Sequence, residues 1–239
     1  MFVSKFKSMK KLVVLSGAGI SAESGISTFR DSGGLWDQYD ISEVATFEAW
    51  TRNRALVLEF YNRRRRQLYE VEPNDGHRIL VQLENYFDVQ VVTQNVDDLH
   101  ERAGSGKVLH LHGELKKVRS TFDDRLVYDW PHPDLNEGDL CELGSQLRPH
   151  IVWFGEAVPA LEEAIPFFEE ADLCLVVGTS LNVYPAAGLI HYCKPGTPLY
   201  VVDPKEIAGI RSSGKVRFVQ EKASTGLRVV LEEMLASDF

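Results

Sequence analysis

Two histidines one residue apart, His110 and His112 in LHLHGEL, carry rings that exchange a proton near neutrality, as a general base must. Alternation along an extended segment puts both on one face, so periodicity does not choose between them, and either could be a hydrogen-bonded structural histidine. Residues 17–25, GAGISAESG, form a glycine-rich turn that would let backbone amides approach a pyrophosphate. Read as G-x-G-x-x-A, the pattern also fits an ordinary strand-to-helix turn. A dehydrogenase would continue with a helix and a strand ending in an acidic residue about 20 positions on. The continuation here, STFRDSGGLWDQYDISE, holds no apolar strand, which argues against hydride transfer.

A second constellation lies in residues 52–66, which gather Arg52, Arg54 and Arg63 to Arg66. Adjacent helical residues are ~100° apart, so four consecutive arginines point around the axis and most are expected on a solvated face. Tyr61 and Arg64, at i and i+3, share one face. A phenol and a guanidinium converging there could grip a carboxylate, the arginine through a bidentate, charge-assisted pair.

The elements that must hold these residues follow from hydrophobic runs. Lys11–Ser16, Val89–Thr93, Leu173–Gly178 and Leu199–Asp203 are short, apolar on both faces and bounded by turn residues, as buried parallel strands are. Helical patterns at Gly76–Tyr86, Ala160–Glu170 and Pro185–Tyr192 separate them, predicting a doubly wound α/β sheet. Residues 41–75, helical and rich in arginine and aromatics, and 116–150, polar and proline-containing, interrupt the alternation and are expected to form a smaller lobe.

Composition bounds the possibilities. The 239 residues hold 26 Lys+Arg against 35 Asp+Glu, a formal charge of −9, which disfavours a nucleic-acid or anionic-membrane partner. The apolar fraction of 44 % excludes wholesale disorder. No apolar run approaches the ~18 residues that span a bilayer. The leader MFVSKFKSMKK is cationic, but Leu12–Leu15 is too short for a signal peptide's apolar region and reads as a strand after a basic leader. The three cysteines, Cys141, Cys174 and Cys193, cannot build a disulfide framework or a four-cysteine zinc site, so a reducing, cytoplasmic location is expected.

Taken jointly, GAGISAESGISTFRDSGGLW, TQNVDDLHERAG at 93–104, LHLHGEL at 109–115, WFGE at 153–156 and GTSLNVYPAAGL at 178–189 resemble the sirtuin family, in its order and spacing and through most of the chain. The resemblance implies a Rossmann-like NAD-binding domain (10–40, 76–115 and 149–239) and a small lobe (41–75 and 116–148). It implies an NAD-dependent protein-lysine deacylase that yields nicotinamide, 2′-O-acyl-ADP-ribose and free lysine. By motif, Ala18, Phe29 and Arg30 would line the NAD pocket, with Gly17 and Gly19 near the phosphates. Gln94, Asn95 and Asp97 would contact the nicotinamide side, and Gly178, Thr179, Ser180 and Asn182 the phosphates and adenosine. His112, followed by Gly113, would be the base, with Asn95 beside it in catalysis. The pair Asp97 and Asp98 could alternatively serve only as a helix N-terminus.

Within that family, Y-x-x-R at Tyr61 and Arg64 matches the class that removes succinyl, malonyl and glutaryl groups, and Ala45 falls where that class widens its acyl pocket. Acetyl-lysine is expected as a poorer substrate. Val152, Trp153, Phe154 and Gly155 would pair with the extended substrate peptide, and a monomer is expected. The family's usual zinc cysteines are missing: 113–152 holds one cysteine, Cys141, with Ser120 near the first ligand position, so no zinc is expected. The lobe would instead close by packing Phe122, Leu126, Val127, Tyr128 and Trp130. Two smaller departures are Ser27 in place of a proline in GISTF, and Val201 in VVDP, where many relatives place an asparagine near the adenine ribose. The same pocket could alternatively serve ADP-ribosyl transfer or NAD hydrolysis, or a catalytically silent NAD or acyl-peptide binding module.

Overall fold

A computed structural model describes residues 9–26, 38–207, 210 and 214–237. Its larger sheet contains β1 (Lys11–Ser16), β2 (Asp88–Thr93), β3 (Val108–His110), β7 (Leu173–Val177), β8 (Leu199–Val202) and β9 (Val216–Val219), in the order β3-β2-β1-β7-β8-β9. Every pairing is parallel, with Val14 opposite Val91 on one side and Leu175 on the other. The central strands are buried on both faces, which is why they read as continuous apolar runs. Helices α4 (Asp75–Leu83) and α7 (Ala223–Ala236) cover one face, packing Leu80, Leu83, Leu227 and Val230 on Val14 and Leu175. Helix α6 (Ala160–Glu169) covers the other through Ala164 and Phe168. The last helical pattern is a 3-10 helix, Ala186–Tyr192, interrupted by Gly188, a poor α-helix former. A short helix α5 (Leu99–Ala103) follows β2.

The chain leaves β1 toward β2 on one side, and the later strands extend the sheet on the other. The crevice at the C-terminal ends of β1 and β7 is therefore the topological switch point, where open α/β sheets bind ligands.

Residues 41–70 form α1 (Ile41–Val44), α2 (Phe47–Arg52) and α3 (Arg54–Glu70), each started by a side-chain cap: Asp40, Thr46 and Asn53 accept from Ser42, Ala49 and Leu56 amides. They pack against a three-stranded antiparallel sheet of β4 (Gly113–Ser120), β5 (Val127–Asp129) and β6 (Leu147–Ile151), in the order β5-β4-β6.

Two expectations are corrected here. Phe122 is 77 % exposed and Val127 37 % exposed, so neither closes the small lobe. Its core is Leu115, Val118, Leu135, Cys141, Leu147 and Ile151, with Tyr128 and Trp130 only partly buried against it. Ser120 and Cys141 are both buried and joined by a thiol-to-hydroxyl hydrogen bond of 3.3 Å. Ser120 Oγ also accepts from the Phe122 and Asp123 amides, pinning the turn that leaves β4. The second correction is Arg65, which is fully buried and not on a solvated face. The helical rotation aims it at β4, where Nε donates to Leu115 O at 2.6 Å and one terminal nitrogen donates to Asn62 Oδ1. Two of the other arginines do point outward: Arg63 is exposed, and Arg66 pairs with Asp134 at 2.7 Å.

Candidate active site

Four loops meet at the switch point. Gly17–Ile20 leaves β1, Gln94–Asp97 leaves β2, His110–His112 closes β3, and Gly178–Asn182 leaves β7. Gly17 and Gly19 give their amides to Val177 O and Gly178 O at 3.0 and 2.8 Å, so these two amides face protein acceptors and not a phosphate. What the glycines provide is contact: a Cβ on Gly178, whose φ is +62°, would stand 2.3 Å from Ile20 N. Among the described residues no acceptor is set against the amide of Ala18, which lies between them. Thr179 is buried and Ser180 half-buried, while Asn182 is exposed. Phe29, Arg30 and Ser27 lie outside the described residues. Val201 is buried inside β8, so it cannot face a nucleotide; the residue beyond the strand end is the half-buried Asp203.

The floor of the crevice is a directional hydrogen-bond chain. The Asn74 amide donates to His77 Nδ1, which leaves Nε2–H to donate to Ser21 Oγ at 3.4 Å. Ser21 donates to Asp97 Oδ2 at 3.0 Å and accepts from Asn95 Nδ2 at 3.1 Å. Asp97 Oδ1 accepts from the Leu99 amide. Beneath it, Ser16 donates to Thr93 Oγ1, which also accepts the Asn95 amide, while the His100 Nε2–H donates to Ser16. Gln94 Nε2 reaches across to Thr179 Oγ1 at 3.0 Å, joining the β2 and β7 loops. Burial raises the Asp97 pKa against the Leu99 and Ser21 bonds, and burial pushes His77 down to about 4. Ser21, His77 and His100 were not legible as site residues, because each is a single polar residue whose partners lie tens of positions away.

Geometry separates the two histidines that periodicity left equivalent. His112 Nδ1 faces the Gln94 carbonyl at 3.0 Å and must donate to it, leaving Nε2 as the lone-pair nitrogen of a neutral ring. Burial lowers its pKa, with the Gln94 carbonyl opposing. His110 has an acceptor on both sides, the Asn95 carbonyl at Nδ1 and Glu101 at Nε2, each at 2.8 Å, so it has no lone pair to offer. Gly113 then turns the chain at φ +81°; a Cβ there would lie 2.0 Å from His150 O. That contact brings β6 against the histidine, and the Val152 amide donates to His112 O.

The 152–156 segment continues from there. The Phe154 amide donates to Ala45 O at 3.0 Å, and Trp153 Nε1 donates to Tyr61 Oη at 3.0 Å. Ala45, Tyr61 and Trp153 are buried, while Phe154 and Gly155 are exposed. Burial pushes the Tyr61 phenol to about 12, so it stays protonated. Its oxygen accepts from Trp153, and among the described residues no acceptor is set against its own hydrogen. The Arg64 guanidinium lies 5.9 Å from the Tyr61 ring centroid. Burial lowers its pKa, opposed by Tyr61 and by Asp97.

A further pair was missed in the sequence because its members look like ordinary surface charges. Glu156 accepts from Arg148 at 2.7 and 2.9 Å and from the Trp153 amide at 2.8 Å, and Arg148 lies 3.4 Å from the Trp153 ring centroid. Among the described residues, no cluster of three or more His, Cys, Asp and Glu could hold a metal ion.

Comparison with known proteins places this arrangement. Residues 17–185 match the profile described as the Sir2 family. An NAD-dependent protein deacylase of Helicobacter pylori is 59 % identical over 197 residues, covering 82 % of this chain and 86 % of its own. One from Bacteroides thetaiotaomicron is 54 % identical over 228 residues, covering 92 % and 95 %. A Sir2 homologue solved as an ADP-ribose complex superposes with a TM-score of 0.83 at 36 % identity, covering 96 % of this chain and 95 % of that one.

Proposed function

Because the chain belongs to the Sir2 family, we propose that its crevice binds NAD and that it removes acyl groups, acidic ones preferentially, from lysine side chains of proteins. The residues present fit the dinucleotide. The crevice lies at the switch point, the Ala18 amide has no acceptor among the described residues and would meet a phosphate, and the carboxamides of Gln94 and Asn95 and the buried Asp97 would supply directional groups for the ribose and nicotinamide. Gly178, Thr179, Ser180 and Asn182 complete the opposite wall, with Gly17 and Gly19 allowing the two walls to touch.

When bound, NAD would supply an electrophilic ribose carbon and nicotinamide as leaving group. His112, held by Gln94 O with Nε2 unprotonated, would take a proton from a ribose hydroxyl at that nitrogen. Ser21 and His77 fix Asp97 and Asn95 so that their orientation is set before ligand arrives. The substrate peptide would lie along Val152–Gly155. There the amides of Trp153 and Phe154 already serve Glu156 and Ala45, which leaves the exposed Gly155 for strand addition.

The acyl preference rests on one observation: a buried, protonated phenol and a guanidinium share a face of α3, and the phenol is bonded to Trp153 in the 152–155 segment. A terminal carboxylate there would find a neutral donor and a fixed cation. Ala45, small and buried at the neighbouring turn, would take up less of the space a longer acyl chain needs than a bulkier residue would.

Incubation with NAD and succinyl- or acetyl-lysine peptides, resolved by mass spectrometry, tests the reading. Acyl-ADP-ribose with faster succinyl turnover supports it. Free ADP-ribose without acyl loss would assign NAD hydrolysis or transfer instead, and binding without turnover would assign a silent module.

A further inference from the structure

His110 is absorbed by none of these roles, yet it is the most tightly gripped ring in the crevice wall. Its side chain is 7 % exposed, and both nitrogens lie 2.8 Å from an acceptor that cannot donate: a backbone carbonyl and a carboxylate. A neutral imidazole has one N–H and could satisfy only one of them. We infer that His110 is a positioning residue: clamped as an imidazolium between Glu101 and the Asn95 carbonyl, it holds the Asn95–Asp97 segment in place and sets an alkaline limit on use of the site.

The charged surroundings agree with this assignment. Glu101 from α5, Glu114 from β4 and Asp97 from the held segment present negative charge to the ring, while Lys117 acts on Glu101. His100, the other titratable neighbour, is kept neutral by burial, so it does not oppose the charge. Burial works against a charged His110, but the bonds to Glu101 and Asn95 outweigh it and hold the pKa above the usual value. Through Asn95 the effect reaches Ser21 and Asp97, since the Asn95 side chain donates to the same Ser21 hydroxyl that Asp97 accepts from. His112, two residues on, meets one acceptor among the described residues, which leaves it free to act as the proposed base. Adjacent histidines in one strand-and-turn are thereby set to opposite protonation states.

The functional half of this inference rests on the NAD-dependent reading above; the protonation half does not. Imidazole nitrogen NMR of the unliganded protein, wild type and Glu101→Gln, follows the ring and the Asn95–Asp97 amides from pH 6 to 10. In wild type, the His110 ring is expected to titrate above an ordinary histidine, with both nitrogens protonated on the acidic side, and the three amides are expected to shift with the ring's titration. In Glu101→Gln the titration is expected roughly one to three pH units lower, the effect of losing an opposite charge at hydrogen-bond distance. The alkaline limb of kcat/KM for NAD should move down with it, while the acidic limb stays. His110→Gln, which keeps a donor for Asn95 O but no titrating ring, should abolish that limb and restore turnover toward the wild-type value. A His110 ring that titrates at or below the ordinary histidine value, amides that ignore its titration, or an alkaline limb unmoved in Glu101→Gln would overturn the inference. Absence of NAD turnover in the wild type would instead remove the deacylase reading and leave the NMR result to decide the ion pair.

Discussion

At the scale of single residues, what chemistry is available depends on which atom of a side chain is already committed. His112 and His110 are the same residue type two positions apart, and the sequence offers no way to choose between them except the glycine after His112 and the family resemblance. The carbonyl of Gln94 facing one ring, and the carbonyl and carboxylate flanking the other, decide it. A base needs its proton off, and burial pulls the His112 pKa below 6.5. The acidic limb of kcat is therefore expected below pH 6.5; a limb above pH 7 would mean that another group is titrating. His112→Ala should lower kcat about 100- to 10,000-fold, the worth of a positioned general base, while ADP-ribose affinity by calorimetry changes little.

At the scale of elements, the strands of the large sheet were legible because both faces are covered and their runs are uninterrupted. The small sheet was not. Its β4, GELKKVRS, alternates buried and solvated residues with three cations, and reads as a polar loop unless its partner strands are known. The aromatic residues that look like its core, Phe122 above all, are outside, and a serine–cysteine contact and Arg65 do the joining. Arg65→Met leaves the Leu115 carbonyl without its donor, so a loss of about 1–3 kcal/mol in denaturant unfolding is expected. Arg63→Ala, on the exposed side of the same helix, should stay within about 0.5 kcal/mol. Equal effects would refute the buried anchor. Because Ser120 bonds Cys141 in this lobe and no metal-ligand cluster is found among the described residues, a chelator is expected to leave Tm unchanged. A chelator-induced fall in Tm would contradict this.

At the scale of the whole molecule, buried neutral histidines couple folding to pH. His77 and His150 are each held down to about 4 by burial, and burial also pulls His100 well below its usual value. Their folded pKa values sit below the unfolded 6.5, so the unfolded chain binds more protons in between. The stability they contribute is present above pH 6.5 and is lost as pH falls from there toward 4. His110, with its pKa raised, acts in the opposite sense but is one group against four once His112 is included. Tm is expected to fall steadily between pH 6.5 and 4.5, and a flat profile over that range would mean that these rings are hydrated. The net charge of −9 disfavours polyanions on average, yet it leaves room for a local cation at Arg64, and no helix among the described residues is long and apolar enough to cross a membrane. The central claim is that this cation, with the Tyr61 phenol beside it, reads an acidic acyl group next to an NAD-binding crevice. The direct measurement is the ratio of kcat/KM for succinyl-lysine over acetyl-lysine peptide, with NAD saturating, in the wild type and in Arg64→Met. Losing the charged partner of a carboxylate, about 1.5–3 kcal/mol, should cut that ratio about 10- to 150-fold while deacetylation persists. Equal loss of both activities, or an unchanged ratio, would contradict the claim.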